Sequence, residues 1–242
     1  MFTTLETNFT LNLCHLYGNL LNTYGDNGNI LILKYFAYKL GIKINIEIVS
    51  INDDFNENNY DLIFFGGGQD YEQFIVSLDI QKKKNAIKRY IENNGVLLAI
   101  CGGYQLLGHY YIEACGRKVI GIGVLDHYTL NQRNFRFIGD IEIINQETKK
   151  HYYGFENHQG RTFLGEGEKA LGQVIQGYGN NGKDQTEGVI YKNTYGSYFH
   201  GPFLACNAHF TYKLLTQAIF NKYQTTVNIP LWKDVCEKEI FC

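Results

Sequence analysis

Two apolar runs constrain this chain more than anything else in it. Asp61-Leu62-Ile63-Phe64-Phe65 and Val96-Leu97-Leu98-Ala99-Ile100 are each long enough for a strand and too short for a helix. Each stops abruptly at small residues, Gly66-Gly67-Gly68 after the first and Cys101-Gly102-Gly103 after the second. A strand with no polar face must be covered on both sides, which is the situation of a strand inside a parallel sheet flanked by helices. The stretch between the runs supplies such a helix: Ile80, Ile87, Tyr90 and Ile91 share a face, with Lys82, Lys83, Lys84 and Lys88 off it. Upstream, residues 10–16 form an apolar-rich first strand, and Tyr24-Gly25-Asp26-Asn27-Gly28-Asn29 is rich in turn formers. A helix is predicted over 30–40, ended by Gly41 where a left-handed residue belongs. Residues 42–48 alternate apolar and polar, as a strand does. Alternating strands and helices imply right-handed parallel crossovers, and such sheets bind ligands at the carboxyl ends of their strands. Both glycine clusters should therefore lie on one edge.

The second half changes character. Residues 137–144 and 189–199 read as strands, 177–182 as a loop, and helical periodicity returns with Phe210, Leu214, Leu215 and Ala218. The expectation is one α/β domain over 1–242, its sheet mostly parallel and flanked by helices, with antiparallel strands in the second half. A net charge of -2 in 242 residues gives no push toward nucleic acid or an acidic membrane. No run reaches the roughly 18 to 20 apolar residues of a membrane span, and residues 1–10 lack the basic and apolar parts of an export signal. The six cysteines, at 14, 101, 115, 206, 236 and 242, show no CxxC spacing. They are expected to stand singly in a reducing cytoplasm, and no metal site is expected.

Chemistry concentrates at Leu97-Leu98-Ala99-Ile100-Cys101-Gly102-Gly103-Tyr104-Gln105. A nucleophile between a buried strand and a helix stands on a tight, strained turn. The helix start favours a thiolate and offers free N–H groups for an oxyanion. The plain alternative is a small core cysteine, which would need no Gly-Gly clearance after it. A thiol nucleophile needs a base. His200 follows the strand Gly196-Ser197-Tyr198-Phe199 and precedes Gly201-Pro202, at the end where a base is required. His158, among Gly154-Phe155-Glu156-Asn157-His158-Gln159-Gly160-Arg161, is the rival, as a site wall or a satisfied loop residue; His15, His109, His127, His151 and His209 read as structural or surface. Gly66-Gly67-Gly68 can bring backbone close to a substrate, or serve only as a turn. With no Lys-Ser/Thr after it, it is not a P-loop.

A strand ending in Gly-Gly-Gly, a second ending in Cys-Gly-Gly-Tyr-Gln and a late one ending in His-Gly-Pro together resemble the class I glutamine amidotransferases, in their cobyric-acid-synthase-like branch. Asn22-Thr23-Tyr24-Gly25-Asp26-Asn27-Gly28-Asn29, Phe135-Arg136-Phe137-Ile138-Gly139-Asp140, the Gly154 to Thr162 segment and Tyr198-Phe199-His200-Gly201-Pro202 resemble, within that branch, the glutaminase subunits of the lipid II isoglutaminyl synthases of Gram-positive bacteria. The resemblance covers residues 11 to 218 and implies a flavodoxin-like sheet. It implies Cys101 as nucleophile and His200 as base. Gln105 and Arg136 would hold substrate glutamine, with Arg136 on the α-carboxylate. Backbone N–H groups of Gly67 or Gly68 and of Gly102 would form the oxyanion hole. The implied partner is a MurT-like synthetase of the Mur-ligase family. It would bind ATP and Mg²⁺, for which this chain carries no motif, and would amidate the D-glutamate of lipid II to D-isoglutamine.

One departure stands out. Many class I amidotransferases carry Glu two residues after the base, where this chain has Pro202. Asp26, after the first strand on the same edge, is the candidate for orienting His200 or lining an ammonia exit; a turn or helix N-cap role is the plainer reading. Two other functions fit the same scaffold: a cysteine peptidase or deglycase-like enzyme, and a binding subunit with a decayed site. Gln105 with Arg136 argues against the first, and the presence of nucleophile, base and both glycine loops argues against the second.

Overall fold

The two apolar runs lie side by side in a six-stranded sheet. The computed structural model describes residues 9–132 and 135–226. The chain enters through β1 (Thr10–Leu16), makes a 3-10 turn at Thr23–Gly25 and continues into α1 (Asn27–Lys39) and β2 (Lys43–Val49). β3 (Leu62–Phe65), α2 (Asp70–Glu92), β4 (Val96–Ile100) and the short α3 (Gly102–Leu107) follow. Helix α1 starts three residues before the predicted helix because the Asn22 side chain accepts from the Asn27 N–H at 2.6 Å, inside what reads as a turn. It ends as expected, with Gly41 at φ +68.

Beyond α3 come three short strands, β5 (Tyr110–Ile112), β6 (Lys118–Ile120) and β7 (His127–Asn131), then β8 (Phe137–Ile144), β9 (His151–His158), β10 (Gly160–Leu164), β11 (Gly172–Gln176) and β12 (Thr186–Glu187). The chain returns through β13 (Val189–Tyr191), β14 (Thr194–Ser197) and β15 (Phe199–His200), and the described part ends in α4 (Phe203–Cys206) and α5 (Ala208–Tyr223). The main sheet runs β13-β14-β4-β3-β1-β2, parallel throughout except for β13 against β14. Smaller sheets run β10-β7-β5-β6 and β12-β11-β8-β9-β15.

Alternate residues of the central strands feed two cores. Leu62, Phe64, Val96, Leu98 and Ile100 pack with Leu33, Phe36, Phe210 and Leu214, under α1 and α5. Ile63, Phe65, Leu97 and Ala99 pack with Val76, Ile80 and Ile87, under α2. Each such side chain removed from water contributes about 1.5–3 kcal/mol, which is why β3 and β4 carry no polar residue. The sheet thus fixes β3 and β4 in register, Phe65 beside Ala99, and both glycine clusters emerge on the same edge as expected.

Three expectations are corrected. Lys83 is not off the buried face of α2 but only 4 % exposed: its ammonium pairs with Asp79 one turn earlier and lies over the Tyr17 ring. Three residues after Ile80, it shares that residue's face, and the buried partner makes burial of a cation tolerable. The run 189–199 is not one strand. It turns back at Lys192 (φ +53) into a hairpin, then leaves the main sheet after Ser197, where the Glu187 carboxylate accepts from Ser197 Oγ and the Tyr198 N–H at 2.8 Å each. Burial pushes Glu187 up to about 8. Finally, Cys14, Cys101 and Cys115 are free thiols, but Cys206, expected to stand singly, is disulfide-bonded.

Candidate active site

Cys101 sits on a backbone that few L-residues adopt, φ +48 and ψ -103. Such a conformation costs of order 1–3 kcal/mol and persists only where its surroundings hold it. Here the Cys101 N–H donates to Ser197 O on the neighbouring strand at 2.8 Å, and the Gly103 N–H donates to Gly66 O at 3.0 Å. Gly103 is required for that approach, since a Cβ on it would stand 2.4 Å from the Phe65 carbonyl oxygen. The thiol therefore stands up from the strand end, half-buried, at the start of α3.

His200 reaches the same point from β15. Its Nδ1 lies 3.1 Å from Asp26 Oδ1, and Asp26 and His200 are buried almost completely. Asp26 occupies the residue before α1 but makes no side-chain cap there; its second oxygen accepts from the Gly67 N–H at 2.6 Å. The carboxylate joins the first glycine loop to the imidazole, instead of serving the cap that was the plainer reading. A Cβ placed on Gly67 would lie 3.0 Å from Cys101 Cβ, 3.1 Å from Asp26 Oδ2 and 3.4 Å from His200 Cε1. Thiol, imidazole and carboxylate thus surround one glycine, where a Cβ would press on all three.

The electrostatics follow. Burial pulls His200 toward the neutral form, but the Asp26 carboxylate and the Cys101 sulfur outweigh it and push the imidazole up to about 10. Among the described residues nothing hydrogen-bonds His200 Nε2, so the nitrogen not held by Asp26 is open to exchange a proton. The Tyr24 ring packs edge-on against the imidazole, centroids 5.0 Å apart.

Cys101 opens into a cleft of about 530 Å³ whose walls include Tyr24, Gly68, Gln73, Gln105, Glu113, Arg136, Asn157 and His158. That volume suits a small polar ligand. Gln105 is buried in the wall; it accepts from Gln73 Nε2 at 2.9 Å and donates to the Tyr198 hydroxyl at 3.1 Å. Arg136 stands at the exposed end, its Nε donating to Asn157 Oδ1 and its Nη2 to Asn157 O (3.1 Å) and the Tyr24 hydroxyl (3.0 Å). The Cys101 thiol, with the buried His200–Asp26 pair behind it, and the Arg136 guanidinium therefore share one cleft, which suits acyl transfer on a substrate with a free carboxylate.

The oxyanion assignment narrows. Gly67 donates its N–H to Asp26, because the loop turns that amide toward the carboxylate, and so cannot serve a substrate. Gly68, which lines the cleft, and Gly102, which follows the thiol, remain. His158 is a wall residue: stacked on Tyr198 at 3.7 Å and bonded through Nδ1 to Gly160 O, it is held neutral by burial. Asn157 and Tyr24, which seat Arg136, were given no role from sequence, although both lie inside the motifs quoted. Gln73 and Glu113 carried no local signal at all.

A family model described as "CobB/CobQ-like glutamine amidotransferase domain" matches residues 12–208. The chain is 58% identical over 232 residues to the "Lipid II isoglutaminyl synthase (glutamine-hydrolyzing) subunit GatD" of Streptococcus pneumoniae, covering 96% of this chain and 89% of that one. It is 42% identical over 212 residues to the subunit of the same name from Staphylococcus aureus, with 88% and 86% covered. Among solved structures, PurLQS from Thermotoga maritima aligns with a TM-score of 0.60 at 17% identity, over 89% of this chain and 99% of that one, a likeness of fold alone.

Proposed function

Because the chain belongs to the CobB/CobQ-like glutamine amidotransferase family, we propose that it hydrolyses L-glutamine to L-glutamate and ammonia as the glutaminase subunit of a lipid II isoglutaminyl synthase. The observation that carries this reading is the Cys101 thiol on its strained turn, beside the His200–Asp26 pair and in one cleft with Arg136.

Arg136 pairs with the α-carboxylate of glutamine, which lays the side-chain amide over Cys101. The sulfur attacks the amide carbon, and the oxyanion so formed accepts from the Gly102 and Gly68 N–H groups. His200, carrying the proton it has taken from the Cys101 thiol, gives that proton to the leaving nitrogen, and ammonia departs as the thioester forms. His200 then takes a proton from water, which attacks the thioester and releases glutamate. Asp26 holds the imidazole with Nε2 toward the reaction and stabilises its positive charge.

Ammonia passes to a MurT-like synthetase of the Mur-ligase family, which binds ATP and Mg²⁺ and amidates the D-glutamate of lipid II to D-isoglutamine. The pair works in the cytoplasm, where ATP is available. No helix among the described residues is long and apolar enough to cross a membrane. The test is covalent: 6-diazo-5-oxo-norleucine, a glutamine analogue, should label Cys101 alone among the cysteines and be competed by L-glutamine. Failure to label it, with the synthetase present, would overturn the proposal.

A further inference from the structure

Arg161 belongs to a motif singled out in the sequence, and no step above uses it. It is 2 % exposed, and its guanidinium has no carboxylate within ion-pairing distance among the described residues. The carboxylate whose charge reaches it, Glu156, spends its oxygens on the Tyr178 and Gly179 N–H groups. A buried cation without a counter-ion is costly, and an apolar side chain of similar volume would fill the space better.

What the guanidinium touches gives a reason for it. Nη2 donates to Phe135 O at 2.6 Å, while Nη1 donates to Gln159 O at 3.1 Å and Gly160 O at 3.2 Å. The guanidinium carbon lies 3.3 Å from the centroid of the Phe137 ring. Phe135 and Phe137 are the two neighbours of Arg136. Gln159 and Gly160 follow directly on Asn157 and His158, and Asn157 receives Arg136 through both its side chain and its carbonyl. β8 begins only at Phe137, so ladder hydrogen bonds do not hold Phe135 and Arg136. Arg161 therefore ties together the two segments whose meeting makes the seat of Arg136. No apolar residue could bond three carbonyls, and lysine could not stack its charge flat on the Phe137 ring.

We infer that Arg161 is a positioning residue for substrate recognition, fixing Arg136 at the mouth of the cleft where an α-carboxylate binds. The inference rests on the glutaminase reading above. It makes recognition of the substrate's carboxylate depend on a side chain that never touches the substrate.

The test uses the complex with the synthetase and compares L-glutamine with 4-aminobutanamide, which is glutamine without its α-carboxylate. In Arg161→Lys and Arg161→Met, KM for L-glutamine should rise about tenfold or more with kcat kept within about threefold. The kcat/KM preference for L-glutamine over 4-aminobutanamide should shrink by the same factor, while alkylation of Cys101 by iodoacetamide keeps the wild-type rate. A merely structural role would lower the folded fraction and kcat together and leave that preference intact, and this result would overturn the inference. If the Arg161 variants do not fold, Phe137→Leu, which removes the ring beneath the guanidinium, decides by the same preference. A wild-type complex without Cys101-dependent glutamate release would instead refute the glutaminase reading itself, and this inference with it.

Discussion

Replacing Asp26 by Asn tests the most unusual feature of the site. The substitution keeps the shape of a fully buried side chain and removes its charge. Two hydrogen bonds change: the one with His200 Nδ1 at 3.1 Å, and the one accepted from the Gly67 N–H at 2.6 Å. Charge-assisted hydrogen bonds of this kind contribute about 1.5–3 kcal/mol. If the His200 bond strengthens as the imidazolium works in the transition state, kcat/KM for glutamate release should fall by about ten- to 150-fold. Stability should move with pH in a defined sense. His200 is raised from 6.5 to about 10 in the folded protein by Asp26 together with the Cys101 sulfur, so their joint stabilisation of the imidazolium is fully present below about pH 6.5 and lost as pH rises through about 10. Urea unfolding of the wild type should weaken across that interval, and the variant should show a smaller change. A kcat/KM within twofold of wild type, with the same dependence of stability on pH, would refute the argument.

Three further substitutions probe separate parts of the structure. Arg136→Ala should raise KM for glutamine at least about tenfold with a smaller effect on kcat, measured by steady-state glutamate release. Gly103→Ala places a Cβ 2.4 Å from the Phe65 carbonyl oxygen; the forced shift should cost about 1–3 kcal/mol in chemical unfolding and slow alkylation of Cys101. Lys83→Met takes from the Asp79 carboxylate, held down to about 2 against its burial by Lys83, the Tyr17 hydroxyl and the Asn52 N–H, its one buried cation, and should cost about 1–3 kcal/mol; adding Asp79→Asn should recover part of that loss.

The sequence made the central sheet legible because β3 and β4 must be apolar on both faces, and such runs are hard to mistake. It also pointed to Cys101, since the Gly-Gly after it signals a clearance that a core cysteine does not need: backbone at 103, the Gln73 side chain at 102. His200 came from its position at a strand end. The second half was harder to read. β5, β6 and β7 are three to five residues long, too short for a period to emerge. The break after Ser197 depends on Glu187, which lies ten residues earlier and is contributed by another strand. Asp26 could be placed on the edge of His200 as a candidate to orient it, but its local sequence, that of a turn, made a cap the plainer reading. Only the fold brings it to His200, 174 positions away. Lys83 was misplaced because lysine normally signals solvent, and its partner Asp79 could be recognised as buried only in three dimensions. Gly67 and Gly68 could not be told apart as donors for a similar reason: the Gly67 N–H is claimed by a carboxylate from a distant segment.

The central claim is that Cys101 hydrolyses glutamine for a synthetase. The direct measurement is glutamate release from L-glutamine by the purified chain alone and with the proposed MurT-like partner, each beside Cys101→Ala. Release that requires Cys101 and rises when the partner is added is the predicted result. Release that persists in Cys101→Ala, or none from the wild type with its partner present, would contradict the account.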